Sequence, residues 1–183
     1  MANERNLTVE WEPERYEMRE PVPYFFAVDR REFLGIVGAG LLIAVASPAA
    51  AQRGGGAAAP EARVHLAEDG SVTVLTGKIE EGQGARTELT MVAAEELRLP
   101  VDRVRLVMAD TDVVPNDGIT AGSRTTPTTV PSVRQAAAAG RQLLIETAAR
   151  RWRSDAARLE VKDGSVRDGA RSLSYGDLAR EAH

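Results

Sequence analysis

The stretch Gly77–Gly84 reads GKIEEGQG and lies between a strand pattern and a helix pattern. Gly82 and Gly84 lack a Cβ, so the backbone there can adopt positive φ and let an anionic or planar group approach the main chain. Gln83 between them carries both a hydrogen-bond donor and an acceptor. The stretch is therefore either a ligand-binding loop or a β-to-α turn that uses glycine for its geometry alone.

A helix pattern follows this stretch directly. Residues 85–87 join the stretch to Glu88–Leu97, where apolar residues recur at helical spacing, namely Leu89, Val92, Ala93 and Leu97. The N-terminus of the predicted helix points at the loop, and its N–H groups and dipole favour a negative charge by roughly 0.3 to 1 kcal/mol. Arg86 can add a charge-assisted hydrogen bond to a phosphate or carboxylate. The junction therefore predicts an anion site.

Strand patterns flank this unit on both sides. Before it, apolar residues alternate around Asp69-Gly70, which predicts a hairpin. After it, Val101–Met108 alternates again, and a long polar loop then runs to Thr129. That loop contains the hydroxyl-rich segment Thr120–Pro127, TAGSRTTP. Loops of this length inside ordered surroundings are commonly functional, so this one is a second candidate binding loop.

The remaining patterns complete the fold class. Pro131 suits the first turn of a helix that reaches about Trp152. A second hairpin turns at Asp163-Gly164, and Ser174 is the expected N-cap of a short terminal helix. The predicted order is ββα, β, long loop, α, ββ, α. It indicates an α+β fold with a mixed sheet and two main helices packed on it.

Composition excludes several classes of function. The 183-residue chain is 43% apolar with a net charge of -4, which fits a globular protein and argues against a nucleic-acid partner. Cysteine is absent, so disulfides, thiolate metal sites and iron–sulfur ligation cannot be built from this chain. The two histidines are His65, expected to be a half-exposed strand residue, and the terminal His183. No catalytic residue and no metal ligand is assigned.

Residues 1–51 are predicted to be a leader that carries an export signal. The pair Arg30-Arg31 precedes an apolar, glycine-rich run from Gly35 to Ala46, and small residues follow up to Ala51. This order is typical of a twin-arginine signal cleaved after Ala51. Residues 52–61 then form a flexible linker, and 62–183 the folded domain.

Twin-arginine transport predicts a periplasmic protein that receives its cofactor before export, because this route moves folded proteins. The alternative is a buried or membrane-anchoring helix in a cytoplasmic or uncleaved protein. An uncleaved signal would allow the protein to associate with the membrane.

With both loops described, the chain resembles the start of the molybdopterin-binding large subunit of the xanthine dehydrogenase family. The branch it resembles contains isoquinoline 1-oxidoreductase beta subunits and related periplasmic aldehyde dehydrogenases. The resemblance rests on motifs in one order: Gly77–Thr87, Ala94–Leu97, Ala109–Asp112, Thr120–Pro127, and Trp152 with the Asp163-Gly164 hairpin. They cover nearly all of residues 62–182. The twin-arginine leader resembles the same family.

The resemblance implies that two loops line a molybdenum–molybdopterin cofactor, in the cytosine dinucleotide form. Gln83 and nearby main-chain N–H groups would hydrogen-bond the pterin, and Ser123 with the amides around Gly122 would hold pterin or pyrophosphate. Arg86 and Arg124 would neutralise phosphate, although Arg124 could instead bridge to Asp110 or Asp112. The implied cofactor-binding residues are Gly82, Gln83, Gly84, Ala85, Arg86, Thr87, Ala121, Gly122, Ser123, Arg124 and Thr125.

The family reaction is hydroxylation of an aldehyde or N-heterocycle with water as oxygen donor. Its general base is a glutamate near the end of the large subunit, and no such motif occurs here. The chain is also much shorter than that subunit, which implies a fragment, an incomplete reading frame or a piece of a split subunit. The implied partners are an iron–sulfur small subunit, the remainder of the large subunit and cytochrome c. The alternative is an exported, non-catalytic module that binds a phosphate-bearing ligand or a partner subunit.

Overall fold

The computed structural model describes residues 40–46 and 60–182, which form two sheets and three α-helices. The larger sheet has four strands in the order β1-β2-β3-β4. These strands are β1 (Gly40–Ala46), β2 (Pro60–Ala67), β3 (Val72–Thr76) and β4 (Val104–Met108). β1 and β2 are antiparallel, as are β2 and β3, whereas β3 and β4 are parallel. The sheet is therefore mixed, as the sequence predicted.

The predicted hairpin and the helix after it are both present. In the hairpin, Val64 pairs with Val74 and Leu66 with Val72, and Gly70 turns the chain with φ of 82°. Helix α1 (Ala85–Leu97) then carries the chain from β3 to β4. It begins three residues before Glu88, where apolar periodicity placed its start. Periodicity missed the first turn because that turn is polar and only its Ala85 is buried.

The main core lies between this sheet and helix α2 (Val130–Trp152), which also packs against α1. A Cβ on Gly140 of α2 would lie 3.3 Å from Ile43 and 3.4 Å from Leu66, so glycine permits close packing of helix on sheet. One stripe of small and apolar residues along α2 is buried throughout: Val133, Ala137, Gly140, Leu144 and Ala148. The α+β fold with two main helices on a mixed sheet is confirmed.

A smaller sheet and a short helix close the described part of the chain. The strands of the smaller sheet are β5 (Glu160–Lys162), β6 (Ser165–Asp168) and β7 (Arg171–Ser174). Periodicity did not predict β7. Ser174 caps α3 (Tyr175–Glu181) as expected, because its side chain accepts a hydrogen bond from the N–H of Asp177. The Tyr175 hydroxyl donates to the Leu97 carbonyl at 2.6 Å, and burial raises the pKa of Tyr175.

Strand β1 comes from the apolar run that the sequence assigned to the leader. Ile43 and Val45 of β1 are buried, so this segment contributes to the core ahead of the expected domain start at residue 62. Its continuous apolar sequence, GLLIAVA, suits a short core strand as well as an export signal. The Arg30-Arg31 pair and the small residues that follow the apolar run up to Ala51 lie outside the described residues. No helix within residues 40–46 and 60–182 is long and apolar enough to cross a membrane.

His65 is buried, with 5% of its surface exposed, and the expectation of a half-exposed residue was wrong. The reason is β1, which pairs Leu42 with His65 and adds a strand where the hairpin alone would leave an open edge. A Cβ on Gly40 would lie 2.7 Å from the Nε2 atom of His65. This burial lowers the pKa of the imidazole, since a charged ring would lose its hydration.

Candidate functional site

The two candidate loops lie at the carboxyl ends of the parallel strands β3 and β4. We call Gly82–Thr87 the glycine loop and Ala121–Thr125 the hydroxyl loop. The first follows β3 and the second follows β4 after a long connection. Ligands commonly bind at the carboxyl ends of parallel strands. All predicted site residues are exposed except Ala85 and Thr125, whose small side chains are buried at the start of each helical segment.

The backbone of the glycine loop depends on its two glycines. Gly82 has φ of 91° and Gly84 has φ of 82°, values that side-chain-bearing residues rarely adopt. A Cβ at either position would meet no atom within 4 Å. Glycine is therefore required here for conformation, and the space above the loop is open.

The amides of the glycine loop already have an acceptor in the chain, the carboxylate of Glu80. Its Oε1 accepts from the N–H groups of Gly82 and Gly84, both at 2.9 Å, and its Oε2 accepts from Arg86 N–H at 2.8 Å. These bonds, led by the one from Arg86, lower the pKa of Glu80. The carboxylate occupies the position of an anion at the helix N-terminus. The sequence suggested that these amides would be free to bind a ligand, but all three are bonded to Glu80.

Gln83 is also bonded within its own loop. Its Oε1 accepts from Glu81 N–H at 2.6 Å, and its Nε2 donates to the Ile79 carbonyl at 3.0 Å. Both ends of the side-chain amide therefore help to hold the loop in this structure. A ligand contact by Gln83 would exchange these bonds for new ones.

The hydroxyl loop contains two consecutive residues in the left-handed region. Gly122 has φ of 60° and Ser123 has φ of 55°. The turn is closed by a hydrogen bond from Arg124 N–H to the Ala121 carbonyl at 3.4 Å. A serine held in this conformation is unusual, and such strain clusters at ligand-binding sites. The turn displays the serine hydroxyl and the neighbouring amides on the surface.

Hydrogen bonds join the two loops on both sides. Ahead of them, Ile79 N–H donates to the Thr120 hydroxyl at 3.1 Å. After them, the Thr126 hydroxyl donates to the Glu88 carboxylate at 2.8 Å. The structure therefore brings together the two loops that the sequence singled out, although they are about forty residues apart.

The two helices that follow the loops run parallel, with their N-termini at the same end. Glu88 in the first turn of α1 contacts Thr126 in the π-helical turn Thr125–Thr129 that leads into α2. Further along, Glu95 and Glu96 contact Arg134 at 3.3 and 3.1 Å. The separation in sequence stays at 38 or 39 residues along the contact, which only parallel helices can maintain. Two helix N-termini, one of which already faces the Glu80 carboxylate, therefore lie beside the exposed Arg86 and Arg124 side chains, whose positive charges favour an anionic ligand.

The donor set fits an anionic, multiply hydrogen-bonding group better than a bare metal ion. It offers main-chain N–H groups, a serine and a threonine hydroxyl, a primary amide and two guanidinium groups. Within residues 40–46 and 60–182, no group of three His, Cys, Asp or Glu side chains could hold a metal ion. The site can bind and orient a charged organic cofactor.

The fold and the paired loops define an α+β domain with two candidate binding loops at one edge of its sheet. The family comparison is more specific: residues 27–183 match the molybdopterin cofactor-binding domain, and the chain belongs to this family. This is a family of oxidoreductases. The match favours the cofactor-binding interpretation over the non-catalytic module.

Individual relatives agree with the family assignment. The chain is 35% identical over 118 residues to a nicotinate dehydrogenase subunit of Pseudomonas putida, covering 64% of this chain and 10% of that protein. It is 40% identical over 131 residues to the beta subunit of isoquinoline 1-oxidoreductase of Brevundimonas diminuta, covering 67% and 17%. Reconstituted CO dehydrogenase from Oligotropha carboxidovorans aligns with a TM-score of 0.56 at 26% identity, over 64% of this chain and 15% of that one. The chain thus spans less than a fifth of each of these proteins.

Proposed function

We propose that this chain is the cofactor-binding segment of the large subunit of an exported molybdenum hydroxylase. The proposal is carried by one observation: the glycine loop, the hydroxyl loop and two parallel helix N-termini converge at one edge of the sheet. Family membership supplies the identity of the anionic group, a molybdenum–molybdopterin cofactor. The cytosine dinucleotide form fits the paired Arg86 and Arg124, which can neutralise a pyrophosphate.

Each loop has a distinct part in binding. Since Glu80 holds three amides of the glycine loop, the contacts from this loop would come from the Gln83 amide, the Arg86 guanidinium and the Thr87 hydroxyl. The hydroxyl loop would add Ser123 and its neighbouring amides. When bound, the cofactor would supply the redox centre for hydroxylation of an aldehyde or N-heterocycle with water as oxygen donor, and iron–sulfur clusters on a small subunit and cytochrome c would be the electron acceptors.

Cofactor content is the direct test. The chain would be produced with the remainder of its large subunit and the small subunit in molybdate-replete cells, and the purified complex assayed for molybdenum and released pterin nucleotide. We expect about one molybdenum per large subunit and a clear loss in Gln83→Ala. Gln142→Ala, the same substitution on the exposed face of α2, is the matched control. Metal-free wild-type complex contradicts the proposal.

Export to the periplasm by the twin-arginine route is part of the same proposal. Replacing Arg30 and Arg31 by lysine should retain the protein in the cytoplasm, measured by cell fractionation. Mass spectrometry of the periplasmic protein should find Gln52 as its first residue. Cleavage there would remove β1, so the same measurement decides whether β1 belongs to the mature protein. A mature chain that still contains β1 would contradict cleavage after Ala51.

A further inference from the structure

A buried polar cluster lies directly behind the two loops. Arg63, Thr76, Lys78 and Asp117 are at most 4% exposed, and none of them is among the site residues predicted from the sequence. Burial of charged groups is costly unless they are paired and hydrogen-bonded. These four buried polar side chains must therefore be stabilised by hydrogen bonds and ion pairs, which show which segments of the chain they connect.

Asp117 is the centre of this cluster. Its Oδ2 accepts from Arg63 Nη1 at 2.8 Å, from the Thr76 hydroxyl at 2.7 Å and from Gly77 N–H at 2.8 Å. Its Oδ1 lies 2.6 Å from Arg63 Nη2, so the guanidinium and the carboxylate meet through two pairs of atoms. The carboxylate thereby ties the long loop after β4 to strands β2 and β3.

A β-bulge accompanies the placement of Arg63. β1 pairs Ile43 with Val64 and Ala44 with Ala62, so Arg63 is the extra residue on β2. Bulges re-aim side chains and are common beside functional sites. The bulge interrupts the regular register at the residue whose guanidinium reaches Asp117.

The contact continues residue by residue towards the loops. Lys78 Nζ donates to the Ile119 carbonyl at 2.8 Å, and Ile79 N–H donates to the Thr120 hydroxyl at 3.1 Å. With the Gly77–Asp117 bond, three consecutive residues after β3 are thus fixed to residues 117–120. The hydroxyl loop begins at the next residue, and the glycine loop begins three residues after Ile79.

We infer that Asp117, held by Arg63 and Thr76, is a positioning residue that sets the hydroxyl loop against the glycine loop. The nature of the group thus positioned, a molybdopterin cofactor, rests on the proposed function. Asp117 itself contacts neither loop and acts through residues 77–79 and 119–120. Its role is to fix the separation of two exposed loops from a buried anchor.

Amide hydrogen exchange of the full, ligand-free chain tests the positioning role. Asp117→Asn should speed exchange in peptides covering both loops by about tenfold or more, because bonds to a charged group are lost. Asp112→Asn, the same change at an exposed acid of the same connection, should leave exchange unchanged. Unchanged loop exchange in Asp117→Asn overturns the inference.

A milder variant covers the case in which Asp117→Asn fails to fold. Thr76→Val keeps the side-chain shape and removes two hydrogen bonds of the hydroxyl, the one to Asp117 Oδ2 and the one from Lys78 N–H at 3.2 Å. It should therefore speed exchange in the same peptides several-fold. Tyr175→Phe removes a buried hydrogen bond elsewhere, from the hydroxyl to the Leu97 carbonyl. If Tyr175→Phe affects the loops as strongly as Thr76→Val does, the effect is general destabilisation and the inference is wrong.

Molybdenum content of the assembled complex separates the two proposals. Faster loop exchange together with lost molybdenum in Thr76→Val supports the positioning role at the cofactor site. Faster exchange with full molybdenum content overturns that role. A wild-type complex without molybdenum contradicts the proposed function, and leaves the exchange result as evidence for the loop anchor alone.

Discussion

The glycine loop and the hydroxyl loop face the same site but are held in opposite ways. The glycine loop is organised locally by Glu80, an exposed carboxylate within six residues of every amide it binds. The hydroxyl loop is anchored from a distance by Asp117, a buried carboxylate whose partners are 40 to 54 residues away. Local bonds shape a loop, whereas buried long-range bonds decide where it lies.

The largest expected effect is the loss of the buried anchor. Asp117→Ala leaves the buried Arg63 charge with only the Glu61 carboxylate at 3.4 Å as a partner, which should lower the free energy of unfolding by about 3 kcal/mol. Urea denaturation measures this. Asp112→Ala should stay within about 0.5 kcal/mol of wild type. The double variant Arg63→Met/Asp117→Leu should recover much of the loss; if it does not, the two residues are not coupled as a pair.

The second effect is the loss of stability when a glycine is replaced by alanine, compared between Gly77, where a Cβ would clash, and Gly84, where only the backbone conformation is unfavourable. A Cβ at Gly77 would lie 2.3 Å from the Pro115 carbonyl oxygen and 2.9 Å from Asp117 N, so Gly77→Ala must push the long connection away. We expect a loss of about 1 to 3 kcal/mol in the free energy of unfolding. Gly84→Ala meets no atom and should cost about 1 kcal/mol through its positive φ alone. Faster exchange should appear in the hydroxyl loop only for Gly77→Ala.

The third effect is confined to the glycine loop. Glu80→Gln replaces a charged acceptor of three amide hydrogen bonds by a neutral one that cannot accept them all. Exchange at Gly82, Gly84 and Arg86 should accelerate while the melting temperature changes little. Glu81→Gln, the same change one residue away, is the control. Equal exchange in the two variants would show that Glu80 does not organise the loop.

The stability of the glycine loop should decrease at low pH, because it depends on the ionised carboxylate of Glu80. The bonds from Arg86, Gly84 and Gly82 lower the pKa of Glu80 below its ordinary value near 4.5. The ionised carboxylate therefore stabilises the loop fully above that ordinary value, and the contribution disappears as pH falls through the lowered pKa. Amide chemical shifts of Gly82 and Gly84 should stay constant down to about pH 4.5 and change below it. A change centred above the ordinary value contradicts the assignment.

The difference between the loops also explains what the sequence could predict. The positive φ angles of Gly82 and Gly84, the Asp69-Gly70 hairpin and the Ser174 cap are set by residues close in sequence, and these three features appear as predicted. The Glu80 carboxylate could have been recognised too, because an acid shortly before a helix N-terminus is a common cap.

The anchor of the hydroxyl loop could not be predicted in this way. Arg63 and Asp117 are 54 residues apart, and nothing in their local patterns distinguishes them from solvent-exposed charges. The burial of His65 depends equally on β1, which joins the sheet across a segment outside the described residues. Pairings of this kind arise from tertiary packing, which periodicity does not record.

The smallest effect concerns the helices behind the loops. Arg134 is 47% exposed and bridges Glu95 and Glu96, so Arg134→Gln should cost at most about 1 kcal/mol in the free energy of unfolding. Added salt should reduce the difference from wild type, since exposed pairs are screened. A larger, salt-independent loss would mean that the helix contact, rather than the buried Asp117, fixes the relative position of the two loops. In that case the hydroxyl loop would not be anchored by Asp117, and the contrast between a locally held loop and a loop held by a buried carboxylate would be wrong.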